Sequence, residues 1–183
     1  IRHKPDPESV FVGLTYIRML QLSLRHGYIN NIDYTGGIKI ERVSSRSLIL
    51  SEFLLGVSNV FFSCLGISIL FLVIFESSLV GVIIFCILGL INYFFWYSVG
   101  SLFSPIGIRI PDTNTVVTYF GLMMFFGSPA LYDLSATTGL HRELNLINPF
   151  SYCVEPARHF LLGSEDYLLL YPELGAIFFV LMI

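Results

Sequence analysis

The chain contains two long stretches without a charged residue: LLGVSNVFFSCLGISILFLVIF at residues 54–75 and LVGVIIFCILGLINYFFWYSVGSLF at residues 79–103. A helix needs about 20 apolar residues to cross the roughly 30 Å hydrocarbon core of a membrane, and both stretches exceed that length. Only Glu76, Ser77 and Ser78 separate them, which leaves room for a tight turn. The two stretches therefore predict a hairpin of transmembrane helices.

The composition of the whole chain agrees with this prediction. Of the 183 residues, 55% are hydrophobic and 13% are charged, whereas soluble domains average about 25% charged residues. The net charge of −3 and the lack of a basic tract argue against nucleic-acid binding. Three widely spaced cysteines predict neither a disulfide framework nor a metal site. We expect an all-α polytopic membrane protein consisting of a single transmembrane domain, residues 1–183.

Weaker apolar segments add further spans to the two long ones. The predicted spans are residues 10–24, 48–75, 79–103, 116–131 and 167–183. The sequence does not begin with Met, and it stops within an apolar run. We therefore expect the chain to be part of a longer protein, with material missing at both ends.

Arg18 interrupts the first of these segments. An ionisable residue within a span faces the bundle interior or a cavity by default. The alternatives are that Arg18 snorkels to the interface or that the helix has other ends than predicted.

The distribution of Lys and Arg orients the spans. Residues 25–50 contain four basic residues and residues 104–115 contain Arg109, whereas the turn at 76–78 contains none. Because basic loops stay in the cytoplasm, residues 25–50 and 104–115 are predicted to be cytoplasmic. Residues 76–78 and 133–166 are then outside, in a multi-pass protein of the cell membrane.

Each long span has small and polar residues on one helical face. The two sets are Gly56, Asn59, Ser63 and Gly66, and Gly89, Asn92, Trp96 and Gly100. Such faces favour close helix packing and interhelical hydrogen bonds, but they also suit a polar substrate path. The candidates for a path are Asn59, Ser63, Asn92, Tyr93 and Tyr97.

The cytoplasmic segment 33–47 is amphipathic. Gly36 and Gly37 are expected to end the preceding helix, and apolar and charged residues alternate after them in IKIER at 38–42. A short element of this kind between two spans either lies on the lipid headgroups or docks into a partner protein. The residues alone leave both interpretations open.

The stretch INPFSYCVEPARHFLLG at residues 147–163 places charge between two apolar regions. Asn148 and Pro149 suit the N-cap and the first turn of a short helix, and Pro156 is expected to break or kink it. The helical period puts Glu155 and Arg158 on the side away from the apolar residues. We find no P-loop and no G-x-S-x-G motif, and the Glu155–His159 spacing does not make a zinc site.

Three segments of the chain resemble segments of a known protein family. GIKIER at 37–42, FFGSPALYDLS at 125–135 and NPFSYCVEPARHFLLG at 148–163 resemble the membrane subunit of ABC exporters of the ABC-2 type. The closest subgroup is the drug-resistance and nodulation-factor export permeases, and the resemblance covers roughly residues 10–165. The chain departs from the family pattern by lacking a proline between the Glu-Arg pair and the Ser-Arg that follow. The family's usual first transmembrane helix and the cytoplasmic amphipathic helix before it are also missing, so the resemblance implies an incomplete chain that lacks the N-terminal helix.

The resemblance implies a fold of about six helices in the full chain, with a cytoplasmic coupling element at 33–47 and short re-entrant helices at 133–163 on the outer side. It implies a permease and not an enzyme, with no cofactor of its own. Two permease subunits, identical or paralogous, would pair within the membrane lipids and dock onto two ABC ATPase subunits that bind ATP and Mg. The implied ATPase-coupling residues are Gly37, Glu41, Arg42, Ser45 and Arg46. The implied outer gate or structural residues are Asn148, Pro149, Tyr152, Glu155 and Arg158.

The cargo remains open at this point. A drug-type exporter would move an amphiphilic drug, a lipid or a lipid-linked glycan. Exporters of polysaccharide or teichoic acid share the closing motif and are the first alternative. A membrane-embedded enzyme or scaffold without an ATPase partner is the alternative from another class.

Overall fold

The computed structural model describes residues 6–36, 45–75, 77–110 and 112–182. Within these ranges the chain is helical and contains no β-strand. The α-helices are α1 (Pro7–Gly36), α2 (Ser45–Ile74), α3 (Leu79–Arg109), α4 (Thr113–Phe126), α5 (Gly139–Ile147), α6 (Ser151–Leu162) and α7 (Pro172–Met182). Two 3-10 helices, Leu134–Ala136 and Asp166–Leu169, lie in the connections.

Helices α1 and α3 form the central pair of the bundle, with α2, α4 and α6 packed around them. The pair is close because each helix presents a glycine to the backbone of the other. A Cβ at Gly27 of α1 would collide with the carbonyl oxygen of Tyr97, and a Cβ at Gly100 of α3 would collide with that of Leu24. Small residues at such a crossing allow two membrane helices to approach closely.

Two buried hydrogen bonds join the same pair. The Tyr16 hydroxyl donates to the carbonyl oxygen of Phe85 at 2.7 Å, and the Asn92 side-chain amide donates to the carbonyl oxygen of Tyr16 at 3.1 Å. On α3, the polar face predicted from Gly89, Asn92 and Gly100 is buried. This face therefore packs within the chain.

Two of the described helices are long and apolar enough to cross a membrane: Ile49–Ile74 of α2 and Leu79–Arg109 of α3. Only 22% and 39% of their most apolar stretches are buried inside the chain. Large side chains such as Phe62, Val73 and Leu102 instead point outwards. The predicted all-helical character and the two long apolar helices are confirmed, and their outward apolar surface is suited to lipid.

The ends of several helices differ from the predicted spans. Helices α1 and α3 extend to Gly36 and Arg109, beyond the predicted ends at residues 24 and 103. Helix α4 ends at Phe126, five residues before the predicted end of the span 116–131. Pro129 explains the early end, since a proline and the residue before it disfavour helix continuation. Helix α7 begins at Pro172 instead of residue 167, because proline is well suited to the first helical position.

The segment 133–163 contains the two short helices α5 and α6. It lies at the same end of the bundle as the α2–α3 turn, because the Ser77 hydroxyl donates to the carbonyl oxygen of Leu161 at 3.3 Å. Helix α6 continues through Pro156, so the predicted break is wrong. Pro156 is in the middle of α6 and removes one hydrogen bond, which the packed helix tolerates. Helix α6 ends at Leu162 and is capped by Gly163, which has a φ of 77°.

Candidate functional site

Arg158 of α6 is the centre of a buried polar site. Its side chain has no solvent exposure. The guanidinium donates to the carbonyl oxygens of Ser9, Ala130 and Tyr132, each at 3.2 Å, and to Oε1 of Glu155 at 2.8 Å. Because these carbonyls belong to the start of α1 and the connection after α4, Arg158 links three parts of the chain.

Glu155 lies one helical turn before Arg158 and is equally buried. Its Oε1 accepts the hydrogen bond from Arg158, whereas Oε2 is buried without a partner among the described residues. Burial raises the pKa of Glu155 to about 7, and the positive charge of Arg158 opposes that rise. The carboxylates of Asp166 and Asp133 raise this pKa further. Glu155 therefore changes protonation near neutral pH.

The helical period correctly placed Glu155 and Arg158 near each other, but the prediction that they face away from the apolar side is wrong. Both are buried together with Val154, Ala157 and Leu161. The reason is that α6 is surrounded by α1, α3 and the connection after α4, so none of these five residues faces solvent.

Arg158 connects α6 to the start of α1 and to the residues after α4, and we call this connection the Arg158 joint. A second contact strengthens it. The Ser9 hydroxyl donates to the Asp133 carboxylate at 2.7 Å. A Cβ at Gly13 would collide with the carbonyl oxygen of Ala130 and lie 2.7 Å from Nη2 of Arg158. The joint depends on a glycine and on backbone carbonyls, and the motif FFGSPALYDLS contributes Ala130, Tyr132 and Asp133 to it.

The remaining residues predicted for the outer gate hold the turn between α5 and α6. The side-chain amide of Asn148 donates to the carbonyl oxygen of Gly127 at 3.2 Å, and its oxygen accepts from the amide of Phe150 at 3.0 Å. Asn148 ends α5, and Pro149 lies in the turn before α6. The Tyr152 hydroxyl donates to the carbonyl oxygen of Leu146 at 2.8 Å. These hydrogen bonds fix the geometry of the turn, and none of them presents a nucleophile.

The five candidates for a substrate path do not share one cavity. Asn59 and Ser63 are exposed and line a groove of about 320 Å³ between α1 and α2. Asn92 and Tyr93 are fully buried, and Tyr97 packs against Phe53 with ring centroids 4.9 Å apart.

Tyr93 lies where three helices meet. Its hydroxyl and Nδ1 of His26 are both buried without a partner among the described residues. Both atoms lie next to Gly56 of α2, where a Cβ would collide with the hydroxyl and lie 3.1 Å from Nδ1. An unpaired buried hydroxyl is unfavourable, so this contact weakens the packing of α2.

The sequence did not predict a second groove, of about 420 Å³, between α1 and α4. Arg18, Gln21, Arg25, Asn114 and Thr118 are among its lining residues. Arg18 is exposed on the surface of the chain, so it does not lie in the chain's own interior. The signal that could have revealed the groove is the seven-residue spacing of Arg18 and Arg25, which places both on one helical face.

Of the predicted ATPase-coupling residues, Gly37, Glu41 and Arg42 lie outside the described residues. Ser45 and Arg46 belong to the first turn of α2, and their side chains are outside the description. The described helices flank this segment: α1 ends at Gly36 and α2 begins at Ser45.

A comparison with known protein families finds none that matches this chain. A comparison with curated proteins likewise finds no match.

Proposed function

We propose that the chain is a membrane-spanning permease subunit of an ATP-driven exporter of the ABC-2 type. It moves an amphiphilic drug, a lipid or a lipid-linked glycan out of the cytoplasm, and a separate ATPase supplies the energy. The proposal places the protein in the cell membrane as a multi-pass subunit, paired with a second permease.

The observation that supports this proposal most is the placement of the two resembling motifs relative to α1. Ser9, near the start of α1, is bound by Arg158, and Gly36 at the other end of α1 leads into GIKIER. The helical rise of 1.5 Å per residue separates Ser9 from Gly36 by about 40 Å. A membrane with its headgroups is about as thick. The two motifs are therefore suited to opposite faces of one membrane.

The proposed mechanism uses α1 and α2 to carry motion between these faces. ATP-driven closure of the two ATPases displaces the segment 37–44, and α2 tilts as a lever because it continues directly from that segment. The unpaired hydroxyl of Tyr93 at Gly56 favours such a movement, since it weakens the α2–α3 contact. At the other face, Arg158 couples any shift of α1 to α6 and to the connection after α4.

The proposal is tested by purifying the tagged full-length protein from its native membranes. We expect a P-loop ATPase to copurify, to be identified by its peptides, and to hydrolyse Mg-ATP. In the variant Glu41→Ala with Arg42→Ala we expect insertion to be normal and transport in vesicles to be uncoupled. The matched control is Arg142→Ala with Glu143→Ala on α5, which removes the same two charges at the other end of the bundle.

A complex without an ATPase would refute the proposal and favour the membrane-embedded enzyme or scaffold. Unchanged transport in vesicles that carry the partner ATPase and the Glu41→Ala, Arg42→Ala variant would refute the coupling role. Stimulation of ATP hydrolysis by lipid-linked glycans but not by small amphiphiles would assign the chain to the polysaccharide or teichoic-acid exporters.

A further inference from the structure

A polar pocket of about 280 Å³ lies beside the Arg158 joint. The acidic side chains that line it include Asp6, Asp133 and Asp166. Ser9 lines the pocket as well, and its hydroxyl donates to the Asp133 carboxylate at 2.7 Å. Because Ser9 and Asp133 also belong to the joint, the pocket and the joint share a wall.

Glu155 lies close to this wall on the buried side. Its side chain has no solvent exposure, yet the carboxylates of Asp166 and Asp133 both act on it. These two acids line the pocket and are themselves partly exposed. A proton from solution can therefore reach the surroundings of Glu155 through the pocket, without crossing the apolar part of the bundle.

The other titratable groups come from the elements packed against α6. Arg158 lies one turn after Glu155 and binds its Oε1 at 2.8 Å. The hydroxyl of Tyr132 is hydrogen-bonded to Nε2 of His141 at 2.8 Å. The remaining groups on these elements at this end of the bundle are Glu8 and Tyr16 of α1, Cys86 of α3, Arg142 and Glu143 of α5, Cys153 and His159 of α6, and Tyr167 after it. Among the described groups, Arg158, Asp166 and Asp133 act on the Glu155 carboxylate.

We propose that Glu155 makes the Arg158 joint a proton-operated latch, which acid on the outer side of the membrane closes and a rising pH loosens. In the closed joint, burial and the two neighbouring acids disfavour the charged form of Glu155, so it holds a proton. Protonated Glu155 still offers an oxygen to Arg158, and Asp133 and Asp166 balance the arginine charge. Opening of the joint exposes Glu155 to water, where it ionises readily. The outer location of the latch rests on the proposed function, whereas its response to pH does not.

The test measures how often the joint opens in the intact purified protein. The reporter is Leu134→Cys in an otherwise cysteine-free protein, because Leu134 is fully buried in the connection after α4. Its rate of labelling by a maleimide is divided by that of Leu140→Cys, since thiols react faster as the pH rises and Leu140 is 76% exposed. The pKa of Glu155 is about 7 in the closed joint and 4.5 when exposed. Linkage then predicts about ten times less opening at pH 6 than at pH 8.

Two variants and a matched control assign this response to Glu155. Glu155→Gln cannot ionise, so its labelling ratio should be independent of pH. Asp166→Asn leaves the ion pair in place and should move the midpoint of the response to lower pH, because Asp166 raises the pKa of Glu155. Glu143→Gln is the control, because Glu143 is exposed on α5, and it should keep the tenfold change. A flat wild-type profile, the same change in Glu155→Gln, or an unmoved midpoint in Asp166→Asn would overturn the latch.

Intact cells decide from which side the proton comes. Lowering the external pH should reduce the labelling ratio, whereas lowering the internal pH with a permeant weak acid at constant external pH should leave it unchanged. A response to the internal pH alone would overturn the outer location and the proposed orientation with it. The labelling of the purified protein requires neither transport nor an ATPase, so the failure of the proposed function would not alter that result.

Discussion

Replacing Arg158 with methionine removes the central residue of the joint, at the end of the bundle that contains the α2–α3 turn. Methionine keeps an unbranched side chain of similar length, so the change removes charge and hydrogen bonds more than volume. Three carbonyl oxygens, those of Ser9, Ala130 and Tyr132, lose a charged donor, and Glu155 loses the partner that binds its carboxylate at 2.8 Å.

The expected loss of stability follows from these four contacts. Each carbonyl bond contributes roughly 1 kcal/mol, and leaving one member of a buried ion pair without its partner costs about 3 kcal/mol. The sum is about 6 kcal/mol, a large part of the 5–15 kcal/mol that stabilises a typical domain. A second substitution, Glu155→Leu, removes the stranded acid and should restore about 3 kcal/mol.

The assay is unfolding of the detergent-solubilised protein by increasing denaturing detergent, followed by labelling of the Cys64 thiol. Cys64 is fully buried, so its labelling reports unfolding in a background in which Cys86 and Cys153 are replaced by alanine. Arg109→Met is the control and should change stability by less than about 0.5 kcal/mol. An Arg158→Met protein within about 1 kcal/mol of the wild type, or a double variant no more stable than Arg158→Met, would refute this account of the joint.

Three further predictions use the same assay. Gly13→Ala should lower stability, because its Cβ collides with the carbonyl oxygen of Ala130, whereas Gly66→Ala, with open space around it, should raise stability by up to about 1 kcal/mol; equal effects would contradict the close contact. Tyr93→Phe should raise stability by about 1 kcal/mol, because it removes a buried hydroxyl without a partner, and a loss of similar size would show that the hydroxyl is bonded. The wild type should lose up to about 3 kcal/mol as the pH rises from 4.5 to about 7. Over this range the folded chain holds the Glu155 proton that the unfolded chain releases, so Glu155→Gln should remove this loss, and an unchanged pH profile would contradict it.

The long apolar helices were predictable from the sequence because a run of about 20 residues without charge is what a helix needs to cross lipid. The ends of these helices were less predictable. Hydropathy shows which residues suit lipid, and a helix can continue beyond them. Helix α3 continues to Arg109, past the predicted limit at Phe103, although Pro105 and Gly107 both disfavour a helix.

The joint around Arg158 was predictable only in part. The spacing of Glu155 and Arg158 indicates an ion pair within one helix, and that local contact is present. The other partners of Arg158 are backbone carbonyls up to 149 residues away in sequence, and a carbonyl has no side-chain signature. Burial of both charges depends on the elements that surround α6, which a helical period does not reveal.

The central claim is that the chain spans a membrane with the GIKIER segment on the cytoplasmic face and the Arg158 joint on the outer face. The most direct measurement is labelling of single cysteines, introduced at Glu41 and at Glu165 in a cysteine-free protein, by a membrane-impermeant maleimide. The account predicts that in intact cells only the cysteine at 165 is labelled, and that the cysteine at 41 is labelled only after the membrane is opened. Labelling of both positions in intact cells, or of the cysteine at 41 alone, would contradict it.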